Sequence, residues 1–306
     1  MRAASKADVT VLIVGLDLSV EAESLDREDL LLPGYQSQLI SQVAEVSKGP
    51  VVVVVMSAGG VDISFAKNDP NVHSIIWARY PGEEGGRAIA DVVFGRYNPG
   101  GRLPLTWHEN DYVQMLPMTS MPLRPVDSLG YPGRTYKFFN GSTVYPFRYG
   151  LSYTNFTYNL VSSNHRLNIS LNEFGHCKDL EYADGLYKPA CPAVQTDDLQ
   201  CDRHNIRLAI EVTNTGNRDG SHVVIMYWSA PSGIGEAPIK QLIGFKRVFL
   251  KSWRSEIVNF ELNACKSFGI VDYNGNKLLP SGGSKIEIGD GLVTIPLQIN
   301  FHRGPL

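Results

Sequence analysis

Val9-Thr10-Val11-Leu12-Ile13-Val14-Gly15 opens a stretch that continues through Leu16-Asp17-Leu18-Ser19-Val20-Glu21-Ala22-Glu23-Ser24-Leu25-Asp26-Arg27 to Leu30-Leu31-Leu32-Pro33 and Gln36. The apolar, largely β-branched run halted by Gly15 predicts a strand buried on both faces. Four carboxylates, Asp17, Glu21, Glu23 and Asp26, then crowd beside Arg27. In an open α/β sheet, chemistry gathers where the chain leaves the carboxyl ends of strands. The crowded loop is therefore the first candidate site, a solvated loop being the alternative.

Working outward, Leu39, Ile40, Val43 and Val46 recur at spacings of three and four, which predicts an amphipathic helix over Tyr35–Ser47, ended by Gly49 and Pro50. Val51–Met56 reads as a second buried strand, Val61–Ala66 as a short extended or helical piece, and Ser74–Trp77 as a third strand. A helix follows from Gly82-Glu83-Glu84-Gly85-Gly86 to Phe94. This order predicts a mainly parallel sheet with right-handed crossovers. No G-x-G-x-x-G or Walker lysine motif accompanies it, and Glu83 and Glu84 at the glycine-rich helix start would repel a phosphate.

The second half reads as all-β. Ile206–Val212, Val223–Trp228, Leu242–Leu250, Ile257–Leu262 and Lys285–Gly289 are short strands with turn residues between them, the spacing of a β-sandwich. A chain of 306 residues accommodates two such domains. We divide it as residues 1–122 for the α/β domain, 123–157 for a connector rich in Pro, Met and Tyr, and 158–306 for the sandwich, with a Cys-bearing insert at about 172–203.

The formal charge of −3 and isoelectric point near 6.2 leave no basic footprint for nucleic acid. No apolar run approaches the ~18 residues of a membrane span. Cys177, Cys191, Cys201 and Cys265 are too widely spaced for a zinc site, so two disulfides are expected; Cys177 and Cys191 are one candidate pair among three pairings. The sequons at Asn140, Asn155 and Asn168 agree with a secreted, glycosylated protein. Met1–Lys6, however, contains no apolar signal region. Isolated His73 and His108 are expected as surface or packed histidines, and Ser57 lacks the context of a hydrolase nucleophile.

Glu21-Ala22-Glu23-Ser24-Leu25-Asp26-Arg27 with Leu30-Leu31-Leu32-Pro33 and Gln36 resembles the second-domain loop of family 3 glycoside hydrolases, in the form of plant β-xylosidases and α-arabinofuranosidases. Further segments resemble the same family: Pro99-Gly100-Gly101-Arg102-Leu103-Pro104-Leu105-Thr106, Gly133-Arg134-Thr135-Tyr136-Lys137-Phe138 and Tyr145–Tyr153. Val212-Thr213-Asn214-Thr215-Gly216 and Gln241–Phe245 are similar to its closing fibronectin III-like domain. For the aromatic cluster of the connector, packing between domains is preferred to sugar contact.

The resemblance implies Glu23 as general acid/base, with Glu21 as its rival, and substrate contact at Asp26 and Arg27. It implies no cofactor and no metal. It covers only the family's C-terminal part. In the family the nucleophilic Asp comes from an N-terminal (β/α)8 barrel, and neither the Lys-His-Phe nor the Ser-Asp-Trp-like run of that barrel occurs here. The expected ligand is a xylan-derived oligosaccharide, and the expected partner is that barrel. On this reading the 306 residues alone hydrolyse little or no xyloside. A carbohydrate- or partner-binding module and a regulator pairing with a separate barrel are the other readings. An uncovered apolar face is expected near the acidic loop. Arg79, Arg148 and the Lys251–Arg254 turn stand where relatives use glycines, at about 1 kcal/mol each if φ is positive there.

Overall fold

The computed structural model describes residues 1–115, 119–171, 180–183, 186–189, 193–234, 237–289 and 291–303. The chain forms two compact units, residues 1–97 with 102–150, and residues 98–101 with 151–306. Residues 123–150 of the expected connector thus belong to the first unit.

That unit is built on a parallel sheet in the order β1-β2-β3: β1 (Thr10–Gly15), β2 (Val51–Met56) and β3 (Val72–Trp77). The connecting helices are α1 (Gln36–Val46) and α2 (Ser64–Lys67), and α3 (Gly85–Val93) follows β3. Short α4 (Tyr112–Met115) and α5 (Thr135–Phe138) come later. Each β-branched run forms the strand its composition dictates. β2 is central, with Val51, Val53, Val54 and Val55 fully buried.

The expectation of burial on both faces fails for β1. Leu12 and Val14 turn inward, whereas Val9, Val11 and Ile13 are 51, 42 and 61% exposed. The physical reason is that only the side carrying Leu12 and Val14 packs into the core, which contains Ile40 of α1, while the opposite side of β1 stays open to solvent. This is the uncovered apolar face expected near the acidic loop.

Trp107, 1% exposed, anchors the core of this unit, edge-on to Trp77 at 5.5 Å and to Tyr145 at 6.0 Å. Its segment is held by backbone bonds Trp107 N to Tyr145 O (2.9 Å) and Val144 N to Trp107 O (2.8 Å). Tyr145 also stacks on Tyr149 at 4.7 Å, so these rings pack within the first unit.

The second unit is a sandwich. One sheet has the order β11-β10-β15-β16-β5, from β5 (Arg166–Leu171), β10 (Gly220–Ser229), β11 (Gln241–Leu250), β15 (Gly282–Ile288) and β16 (Val293–Arg303). The facing sheet is β12-β9-β4, from β4 (Phe156–Ser163), β9 (Asn205–Asn214) and β12 (Ser255–Asn263). Alternate residues of both sheets, among them Ile206, Ile210, Val224, Trp228, Ile286 and Ile288, fill the space between them. β6 (Leu180–Ala183) pairs with β7 (Leu186–Pro189), and β8 (Ala193–Gln195) and β13 (Ile270–Val271) flank β14 (Lys277–Pro280).

The Val212–Gly216 motif has a structural cause. Asn214 is fully buried; its Oδ1 accepts from Thr154 Oγ1 (2.6 Å) and Gly216 N (3.1 Å), and its Nδ2 donates to Arg218 O (2.7 Å) and Leu250 O (3.1 Å). Cys201 is bonded to Cys265, with Cα atoms 5.7 Å apart. Cys177 and Cys191 lie outside the described residues. Asn140, Asn155 and Asn168 are all exposed.

Arg79, Arg148 and Trp253 adopt φ of 56, 76 and 58°. Trp253 sits third in the turn closed by Arg254 N to Lys251 O (3.1 Å), the position where a type II turn takes Gly. Its ring is exposed and contributes little packing. Trp253→Gly relieves about 1 kcal/mol of left-handed strain, against several tenths for glycine's freedom in the unfolded chain. The expected result is an unfolding free energy higher by about 0.5 kcal/mol, read as a urea midpoint shifted upward with unchanged slope.

Candidate functional site

Three loops at the carboxyl ends of the strands meet in the first unit. After β1, the clamp Gly15 N to Gln36 Oε1 (2.7 Å) and Gln36 Nε2 to Gly15 O (2.8 Å) ties the strand end to the start of α1. Gly15 is required, since its φ is 149° and a Cβ there would collide with the Met56 carbonyl. The loop emerging from it is the acidic stretch.

Its four carboxylates have separate tasks. Asp17 caps a local turn, accepting from Ser19 Oγ (2.5 Å) and Ser19 N (2.8 Å); these bonds hold its carboxyl below the usual range. Glu21 is held from every side. Arg27 Nε lies 2.9 Å from its Oε2, and Tyr80 Oη (2.6 Å) and Ala58 N (3.1 Å) donate to its Oε1. Burial, then the bond to Glu21 and its charge, pushes the Tyr80 hydroxyl up to about 12. Arg27 also donates from Nη2 to Gly60 O (3.2 Å).

Glu23 and Asp26 are exposed instead. Ala22 and Leu25 exchange backbone hydrogen bonds of 3.0 Å in both directions, so Glu23 and Ser24 form the tip of a closed turn, with Ser24 at φ 65°. Further along, Leu30 N donates to Asn110 Oδ1 (2.8 Å), and Asn110 N donates to Asp62 Oδ2 (2.8 Å). The loop is thereby fixed at both ends while Glu23 projects from a short, rigid tip.

Arg27, expected to contact substrate, is mostly buried and engaged with Glu21 and Gly60. Tyr80, Ala58, Gly60 and Asn110 were not named from the sequence. The strand-end rule that selected the first loop also covers Ser57–Gly60 after β2 and Arg79–Tyr80 after β3, and would have found three of them. Ser57 is buried and donates to Gly59 O (2.6 Å), while His73 is exposed on β3. Lys67 donates to Val144 O (2.6 Å). Among the described residues no group of three His, Cys, Asp or Glu is placed to hold a metal.

The Glu21–Arg27 pair sits largely out of water, with side chains 17 and 12% exposed. Removing one partner strands the other's charge, which costs on the order of 3 kcal/mol. Arg27→Met is therefore expected to lower stability by about that amount, while Glu21→Gln/Arg27→Met loses less than the sum of the single variants. Urea unfolding of the four proteins measures the coupling.

Residues 1–153 match the family described as glycosyl hydrolase family 3 C-terminal domain, and residues 222–291 the fibronectin type III-like domain. Beta-D-xylosidase 1 of Arabidopsis thaliana is 45% identical, with 97% of this chain and 38% of the relative covered. Beta-xylosidase/alpha-L-arabinofuranosidase 1 of Medicago sativa subsp. varia is 42% identical, covering 94% of this chain and 36% of the relative. A GH3 exo-beta-xylosidase (XlnD), solved with a xylobiose aziridine activity-based probe, superposes with a TM-score of 0.81 at 30% identity. The match covers 98% of this chain and 37% of that one. The chain thus spans little more than a third of the length of these relatives.

Proposed function

The chain belongs to glycosyl hydrolase family 3, and from that premise we propose that it forms part of a retaining exo-glycosidase whose general acid/base is Glu23. The substrate is the terminal β-xylosyl unit of cell-wall xylan, with α-arabinofuranosyl units as a second class. The observation that carries the assignment is the division of labour between the two loop glutamates. Glu21 is spent on Arg27, Tyr80 and Ala58, whereas Glu23 stands exposed at the tip of a pinned turn.

A general acid must reach the glycosidic oxygen, and a carboxyl fixed on a short turn can do so without giving up an internal bond. Asp26, exposed beside it, is placed to meet sugar hydroxyls. Arg27 is a positioning residue that keeps the loop against Gly60 and Glu21. Retention needs a second carboxyl about 5 to 5.5 Å from the first, acting as nucleophile. In this reading it is an Asp of a (β/α)8 barrel, in the part of the relatives that the match does not cover. Exposed sequons and the Cys201–Cys265 bond support an extracellular setting for the whole protein.

The test is an assay of the 306-residue chain on an aryl β-xyloside, alone and joined to the N-terminal portion of the Arabidopsis relative. Turnover only in the joined form is expected. Turnover by the chain alone, abolished by Glu23→Gln, would overturn the division of the catalytic pair between two domains.

A further inference from the structure

A cavity of about 450 Å³ opens in the first unit, lined by residues that the acidic loop does not use. Its wall includes Thr106, His108, Arg134, Tyr136, Lys137 and Phe147. The volume falls within the range of small-ligand sites, roughly 300 to 1,000 Å³. Arg134, Thr135, Tyr136 and Lys137 are consecutive, and all four line it. Thr135, which opens α5, has φ 60°, a left-handed conformation that a β-branched residue seldom adopts. Such strain persists where the surroundings enforce it, and it concentrates at ligand sites.

The chemistry of the wall is specific. Tyr136 and Phe147 stack at 4.3 Å, and His108 stacks on Tyr112 at 3.9 Å, so two pairs of rings supply flat apolar surface. Thr106 and His108 line the cavity, while Thr106 Oγ1 and His108 Nδ1 are themselves buried away from solvent. Arg134 is braced by its Nε bond to Tyr131 Oη (2.7 Å) and by a bond from Nη2 to Ser120 O. Among the described residues, Lys137 makes no ion pair and no carboxylate lines the cavity. Burial and the nearby Arg134 charge hold the His108 imidazole down to about 4, so near pH 7 it is a neutral hydrogen-bonding group.

Aromatic surface and two cations without a carboxylate together describe a receptor for a sugar ring that carries a carboxylate. We propose that this cavity binds a uronate unit, separately from the Glu23 loop. Lys137 and Arg134 face the acid group, and the stacked rings of Tyr136 and Phe147 face the sugar. The choice of carbohydrate rests on the glycosidase reading above, while the choice of an acidic one rests on the lining alone.

Calorimetric titration of the 306-residue chain with glucuronate-bearing xylotriose, with xylotriose and with free glucuronate tests it. The two acidic probes are expected to bind, with xylotriose at least about tenfold weaker than its acidic counterpart, the scale of one charge-assisted hydrogen bond. Lys137→Gln is expected to remove about that preference without changing the far-ultraviolet dichroism. The His108 imidazole resonances should move on addition of free glucuronate. Equal affinity for the acidic and neutral trisaccharides, insensitivity to Lys137→Gln, or no binding of any probe overturns the proposal. Because the readout is binding, loss of the glycosidase reading leaves the glucuronate result interpretable by itself.

Discussion

Joined to the N-terminal portion of the Arabidopsis relative, the chain carrying Glu23→Gln is expected to hydrolyse an alkyl β-xyloside about 10² to 10⁴ times more slowly than its Glu23 counterpart. An alkoxide leaves poorly unless a proton arrives as the glycosidic bond breaks, so removing the acid exposes the full barrier. A dinitrophenyl xyloside needs no such proton, and its bond-cleavage step should be nearly unaffected. Water attack on the glycosyl-enzyme still needs a base, so the same variant should accumulate that intermediate, and added azide should release it as glycosyl azide. Glu21→Gln separates the two loop glutamates. It disturbs the Arg27, Tyr80 and Ala58 contacts, so its expected effect is on stability, with losses similar for both leaving groups. A leaving-group dependence appearing in Glu21→Gln and absent from Glu23→Gln would transfer the acid/base role to Glu21.

Much of this architecture was legible in the residues. The Val9–Val14 and Val51–Met56 runs are strands because β-branched side chains suit extended backbone, and both form. Their neighbours were not legible: an apolar run reads alike with one face covered and with both, so the exposed Val11 and Ile13 became visible only with the packing of the core. The alternation of β5 was overlooked, and β16 is interrupted by Pro296, which sits opposite Lys285. A proline inside a run argues against a paired strand, and β5 gains its place by parallel pairing with β16, a contact remote in sequence.

At the site, the four carboxylates and the resemblance directed attention to this loop, but Glu21 and Glu23 are alternate residues with no sequence mark between them. What distinguishes them is contact with Tyr80, Ala58 and Arg27, two of which come from other strand ends. The cavity around Tyr136 was hidden for a different reason. Its wall includes Thr135, and no propensity scale assigns a positive φ to threonine.

Loss of the Cys201–Cys265 bond is expected to destabilise the second unit by about 4 kcal/mol, from the chain-entropy relation for a loop of this length. The two cysteines are 64 residues apart, and between them run β9 to β12, including central strands of both sheets. In the unfolded chain the bond forbids most separations of its ends. In the folded chain it adds little that is not already held: Asn263 Nδ2 donates to Cys201 O (2.7 Å), and Ala264 N donates to His204 O (2.8 Å). Those bonds should survive reduction, so the native fold persists but less securely. Four kilocalories is a large part of the roughly 5 to 15 kcal/mol by which domains exceed their unfolded states. The Cys201→Ser/Cys265→Ser variant isolates this bond, since a reductant would also reach Cys177 and Cys191. Urea unfolding followed by fluorescence of Trp228, fully buried in the sandwich, should show the midpoint falling and the slope rising, because the freed chain expands further. A loss under 1 kcal/mol with unchanged slope would place the stability of this unit in its core packing alone.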